Sequence, residues 1–276
     1  MFLNQKGKYP FPKVTPIRLP NIIDQLQVID RLVEPMANSE INDMCAEFKE
    51  WFNPLIQLDQ FKYSYLMNNG ITQGLETLGL MYKNIHLLHG DYFWLKTIKA
   101  GLEVIEKIPC EVSYASCPSA IDGNVVDTSW PSNIHILDGA YIGTSLADTI
   151  IPKNTEIVLL GFSKNLGVPE LRSGIMFSRK PIQHLEIFQK TFGYVGPGVF
   201  RAILKICKNM PITSLAEMLK TYQEKFCRIH TELIPSDSAL LATTEDLSYT
   251  FYKRPNGIMR VPLGESITAS IKNNLI

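Results

Sequence analysis

The sequence predicts an α/β protein, a three-layer α/β/α sandwich around a mostly parallel sheet, with a small α+β domain attached. Three observations carry this. Between residues 63 and 177 short apolar runs alternate with helical patterns, the order that builds βαβ units. Several of these runs, 156–160 among them, are continuously apolar, as strands covered on both faces are. At 276 residues the chain exceeds the usual domain of about 100 to 150 residues, which leaves room for a large domain and a satellite.

Residues 8–20 carry four prolines and read as an extended arm, laid on a surface rather than wound into a helix. From 22 to 56 apolar residues recur at helical spacing. Ile23, Leu26, Ile29 and Leu32 predict one helix, and Ile41, Met44, Phe48 and Phe52 a second, started at Ser39. Then come a strand at 63–67, a helix at 70–82, a strand at 84–88, a helix at 93–105 and a strand at 111–115. Further strands follow at 133–137, 156–160 and 175–177. Beyond Phe177 the spacing predicts helices at 181–192, 198–209 and 212–232, interrupted by the Tyr194-Val-Gly-Pro-Gly198 loop. The tail from 236 reads as mixed, with its best strands at 249–253 and 257–261. The expected division is an N-terminal arm and helix (1–45), a large domain (46–197) and a small C-terminal domain (198–276).

Composition narrows the function. With 27 basic against 27 acidic residues the formal charge is zero, so there is no electrostatic case for a nucleic-acid or anionic-membrane partner. The five cysteines, Cys45, Cys110, Cys117, Cys207 and Cys227, form no CxxC pair, and the odd total favours reduced thiols in a cytosol-like compartment. No stretch approaches the roughly 20 apolar residues of a membrane span, and the first 20 residues lack an apolar h-region. A soluble, cytoplasmic protein is expected. His86, His89 and His135 lack metal-ligand spacing, so no metal is expected.

The chemistry concentrates in Gly161-Phe-Ser-Lys-Asn-Leu-Gly-Val-Pro-Glu-Leu-Arg-Ser-Gly174. It sets Lys164 and Arg172 eight positions apart on a turn leaving a strand. A lysine at a strand end can form a Schiff base, and an arginine nearby can clamp a phosphate. Three further blocks stand around it: Asn69-Gly-Ile-Thr-Gln-Gly-Leu75 between a strand and a helix, Asp138-Gly-Ala-Tyr-Ile-Gly143 at a strand end, and Asn256-Gly-Ile-Met-Arg-Val-Pro-Leu-Gly264.

In content and order these blocks resemble the fold-type I pyridoxal-phosphate enzymes, the aspartate aminotransferase superfamily, in a shortened form. The resemblance implies roles. Lys164 would carry the cofactor as a Schiff base and then move the substrate α-proton. Asp138 would pair with the pyridine nitrogen, and Tyr141 would bond the phenolic oxygen. Gly70, Ile71 and Thr72 would form the phosphate cup at a helix N-terminus, completed by Ser163 and Arg172. Tyr92 would stack on the ring, with Phe93 and Trp94 as close competitors, and Arg260 would hold the substrate carboxylate. Cys117 stands where many relatives bond the phenolic oxygen with an asparagine, and Gly161 where relatives often place a phosphate-binding serine. Cys117, Tyr65 and Trp130 are candidates for pocket walls.

The resemblance further implies pyridoxal 5'-phosphate as cofactor, amino acid and 2-oxo acid substrates, and a two-fold homodimer to which the Tyr194–Gly198 loop and the arm contribute. An aminotransferase is the first expectation. A lyase or decarboxylase would use the same Lys164 and Asp138, and a relative that binds the cofactor without turnover is the reading from outside enzymes.

Overall fold

A computed structural model describes residues 14–22 and 36–276. The helix expected around Ile23 to Leu32 lies outside the described residues. The next, α1 (Asn38–Phe52), buries Ile41, Met44, Cys45, Phe48 and Phe52 on one stripe, the arrangement its sequence spacing requires. Its N-cap is Ala37 rather than Ser39. Phe48 and Phe52 meet Phe162 at ring-centroid distances of 4.6 and 5.5 Å. This packing pins the start of the Lys164 turn against α1.

The strands β1 (Tyr63–Met67), β2 (Ile85–Leu88), β3 (Gly101–Val104), β4 (Cys110–Ser116), β5 (Ser132–Gly139), β6 (Thr155–Gly161) and β7 (Gly174–Ser178) form one seven-stranded sheet. Its order is β1-β7-β6-β5-β4-β2-β3. Neighbours from β3 through β6 pair in parallel, whereas β7 runs antiparallel to both β6 and β1. The last five residues of β4, β5 and β6 are buried, which is why these strands read as unbroken apolar runs. Register sets Ser116 beside Asp138 and Asp138 beside Leu159, so the C-terminal ends of the three central strands are level. In an open α/β sheet that edge is where ligands bind.

Helices cover the sheet. α2 (Ile71–Met81) follows β1 and packs Leu75 and Leu78 onto Leu159 and Met176. α3 (Trp94–Thr97) is one turn, and α4 (Gln183–Leu185) runs on as a π-helical segment, Glu186–Thr191. The long helices α5 (Pro197–Asn209) and α6 (Ile212–Ile229) lead to a second, antiparallel sheet, β8 (Ile234–Pro235), β9 (Leu241–Thr244) and β10 (Met259–Pro262), followed by α7 (Gly264–Lys272).

Two sequence expectations give way. The helix expected at 93–105 stops at Thr97, because the next residues pair with β2 as β3: Ile85 N donates to Ala100 O at 2.7 Å and His89 N to Val104 O at 2.7 Å. The strand expected at 249–253 is a 3₁₀-helix, Leu247–Tyr252, started by Asp246, whose Oδ1 accepts from Ser248 N at 2.8 Å.

The arm residues 14–22 lie against their own chain. Val14, Ile17, Leu19 and Ile22 join the main core, and Arg18 N donates to Thr268 Oγ1 on α7 at 3.1 Å. All five cysteines are free thiols. Among the described residues no helix is long and apolar enough to cross a membrane, and no side-chain cluster has the makings of a metal site.

Candidate active site

Outside the C-terminal ends of β4, β5 and β6 opens a cavity of about 340 Å³, walled also by the N-terminus of α2, the Lys164 turn and β10. Its size is that of a small-molecule site. Of the residues singled out in the sequence for the site, all but Cys117, Tyr65 and Trp130 line it.

One end is built for an anion. Gly70 caps α2 with φ 64°, a left-handed conformation that favours glycine, and it brings no side chain to satisfy the first-turn N–H groups. That turn carries no acidic residue, so the positive end of the helix dipole is not neutralised locally. Arg172 is itself at φ 40° and braces the cup: Nε donates to Asn69 Oδ1 at 3.2 Å, and Nη2 to Asn69 O at 3.1 Å and Thr72 Oγ1 at 3.0 Å. A helix N-terminus and a fixed guanidinium with Thr72 and Ser163 beside them form a donor set suited to a phosphate monoester.

In the floor, Asp138 ends β5 at 2% exposure. Tyr114 OH donates to its Oδ2 at 2.5 Å, and Ala140 N to Oδ1 at 2.8 Å. Burial raises its carboxyl from 3.8 to about 6, partly offset by these hydrogen bonds. A ring cation placed against Asp138 would reverse that shift, so the carboxylate fits a protonated pyridine. Tyr141 follows on the turn after β5; burial pushes its phenol up while Arg260, and more weakly Arg254, pull it down. Tyr92 lines the wall with its ring 5.5 Å from that of Phe93, its phenol pushed up to about 12 mainly by burial.

Behind Tyr92 stands Asp91, which sequence reasoning missed. It is buried and engaged on both oxygens: Oδ1 accepts from Ser116 Oγ at 2.6 Å and from Tyr92 N at 2.7 Å, Oδ2 from Ser116 N at 3.2 Å. Asp91 thereby ties the Tyr92 turn to the end of β4. Lys164, on the turn after β6, donates from Nζ to Val14 O of the arm. Arg260 reaches the cavity from β10 at 5% exposure. One of its N–H groups meets Ala120 O, and its buried Nε has no hydrogen-bond partner among the described residues. A buried guanidinium with an N–H to spare calls for an anion.

A second arginine on that wall also went unread. Arg254 is 6% exposed and lines the cavity, with Nη2 donating to Gly90 O at 2.9 Å. In Lys253-Arg254-Pro255 it looks like a surface charge, and nothing local marks it as buried.

Three sequence expectations are corrected. Cys117 does not line the cavity: its side chain joins the apolar core, with Sγ 3.7 Å from Val126 O, so its thiol has turned away from any cofactor ring. Tyr65 is buried within β1, its OH 2.7 Å from Glu186 Oε1. Trp130 packs near the opposite strand ends, with Nε1 donating to Ile108 O at 2.8 Å. Neither borders the cavity.

No family model and no curated protein matches the sequence. Solved structures do match the fold. An aminotransferase from Staphylococcus aureus is 13% identical with a TM-score of 0.66, over 98% of this chain and 94% of that one. A tyrosine aminotransferase from Leishmania infantum is 11% identical with a TM-score of 0.64, over 93% and 90%. A histidinol-phosphate aminotransferase from Sinorhizobium meliloti, in complex with pyridoxal-5'-phosphate, is 16% identical with a TM-score of 0.62, over 96% and 91%. The sheet order, the cavity at the strand ends and these likenesses agree that the chain has the α/β fold of these solved aminotransferases.

Proposed function

We propose that the protein is a pyridoxal-phosphate-dependent aminotransferase acting on an amino acid and a 2-oxo acid, and that it works as a two-fold dimer. The observation that carries this is the convergence of Lys164, Asp138 and the Arg172-braced cup on one cavity, from segments far apart in the chain. When bound, the cofactor supplies an electron sink that makes the substrate α-proton acidic.

The chain's own residues do the rest. The α2 N-terminus, Thr72, Ser163 and Arg172 would hold the phosphate, and Asp138 would keep a proton on the ring nitrogen. Tyr114, which donates to Asp138 from behind at 2.5 Å, fixes the orientation of the carboxylate. Lys164 would hold the cofactor through Nζ, and the same amine would be the base placed to carry the proton at the substrate α-carbon. Arg260 holds the substrate carboxylate and so fixes which bond at that carbon faces the ring.

The test is spectroscopic. Purified protein incubated with pyridoxal phosphate should gain a visible band that Lys164→Ala lacks, while Lys164→Ala still folds by circular dichroism. Mixing the loaded protein with amino acids should convert the cofactor to pyridoxamine phosphate. A protein that takes up no cofactor would sink the proposal, and gas release without pyridoxamine phosphate would move it to a decarboxylase.

A further inference from the structure

We propose that Tyr114 is a positioning residue that shares the charge of Asp138 with the cofactor ring. By this sharing the carboxylate stays ionised in the empty site and grips the ring nitrogen less tightly than an unassisted carboxylate would. The inference deepens the reading above and rests on it for the cofactor.

It starts from a phenol outside the cavity wall. Tyr114 is fully buried in β4, in the apolar cluster that also holds Leu87, Ile136 and Leu159, and it does not border the cavity. Register pairs Tyr114 with Ile136, and alternation along β5 puts Asp138 on the same face as Ile136, one step nearer the cavity. The phenol therefore reaches the carboxylate from beneath, with its OH 2.5 Å from Oδ2, while Oδ1 accepts from Ala140 N at 2.8 Å. Both oxygens of Asp138 have a donor before any ring arrives.

The phenol donates and keeps its proton, because burial, and after it the charges of Asp138 and Asp91, push it well above its usual range. Toward Asp138 it is the strongest influence opposing burial, followed by Ala140 N, whereas the charge of Asp91 works with burial. Tyr92, on the turn after β2, and Tyr141, on the turn after β5, also feel the Asp138 charge, and burial raises both phenols. The cations round the same cavity are Lys164, Arg172, Arg254 and Arg260. A hydrogen bond that lowers the affinity of a carboxylate for a proton lowers its affinity for a ring N–H in the same sense.

The first experiment needs no cofactor. The Asp138 carboxyl is titrated by carbon-13 NMR in protein labelled at aspartate, with Asp138→Asn to identify the signal. Its midpoint should lie near 6 in the wild type and about one pH unit higher in Tyr114→Phe, about a tenfold gain in proton affinity. Replacing Tyr114 by 3-fluorotyrosine keeps the ring and makes the phenol a stronger donor, so the midpoint should move down. The second experiment compares dissociation constants for pyridoxal phosphate and for its analogue with C–H in place of the ring nitrogen. At pH 8 the preference for pyridoxal phosphate should be about tenfold larger in Tyr114→Phe than in the wild type. That gain should vanish toward pH 5, where both proteins start with Asp138 protonated.

Equal midpoints in wild type and Tyr114→Phe would overturn the inference. So would a preference at pH 8 that is unchanged or smaller in Tyr114→Phe, because Tyr114 would then serve only to orient the carboxylate or to pack the sheet. If the protein takes up no pyridoxal phosphate, the functional reading fails, while the carboxyl titration still decides whether Tyr114 holds Asp138 ionised. If the cofactor binds and the midpoints coincide, the functional reading stands and this inference falls.

Discussion

Asp138 carries an uncompensated cost in the cofactor-free protein. Its folded carboxyl sits near 6 instead of 3.8, so the folded state binds that proton more tightly than the unfolded chain. Its contribution to stability is therefore greatest below about 3.8 and is lost as the pH rises through about 6, amounting to about 3 kcal/mol above that range. Asp138→Asn removes the titration and leaves an acceptor for Tyr114. The variant should melt several degrees above the wild type at pH 8, and the gap should shrink toward pH 5. A wild type that stays the more stable at pH 8 would mean that a cation already neutralises Asp138. At this scale legibility depended on whether a residue's role is local. Lys164, Arg172 and Asp138 stand in short blocks whose spacing carries their chemistry, whereas Tyr114 and Asp91 act through partners 24 and 25 positions away. Arg254 gains its meaning from burial alone, and Cys117 occupied the right position in the order while its thiol turned into the core.

The arm touches the site at one end and α7 further on: Val14 lines the cavity and its carbonyl accepts from Lys164 Nζ, while Arg18 N donates to Thr268 Oγ1. Gly264 makes that contact close: a Cβ built there would stand 1.9 Å from Thr15 O. Gly264→Ala should therefore lift the arm or displace α7, at a cost of about 1–3 kcal/mol. Faster proteolysis within 14–22 at unchanged circular dichroism is the expected result; wild-type proteolysis and melting would mean that the arm does not rest there in solution. Elements with a buried stripe or an unbroken apolar run, α1 and β4 to β6, were legible because burial dictates those patterns. β3 was not, since it is an edge strand with no fully buried residue, so nothing forces the alternation or apolar run that marks a strand. In the 3₁₀-helix at Leu247–Tyr252 the aromatic residues look strand-like, and the Asp246 cap outweighs their propensity.

Among the described residues the larger of two apolar clusters runs through both sheets. Leu137, Val158 and Leu160 of the large sheet belong to the same cluster as Leu241 and Ala242 of β9 and Val261 of β10. Pairing order was not legible in the sequence: the alternation of strands and helices predicts a mostly parallel sheet, but the antiparallel insertion of β7 between β6 and β1 depends on contacts made only in the folded chain. The shared core has a thermodynamic consequence. Two sheets that share buried side chains unfold together, so calorimetry of the described fold should give one cooperative transition. The cavity draws its wall from both sheets, so a ligand bound there stabilises the unit as a whole, by about 2.7 kcal/mol at a hundredfold excess over Kd. With saturating pyridoxal phosphate, amide exchange should slow by similar factors at Leu137 in β5 and Ala242 in β9, both fully buried. Slowing at Leu137 alone, or two transitions of which one moves, would show that the second sheet folds apart from the cofactor site, and that Arg254 and Arg260 reach the cavity by docking after the cofactor is already held.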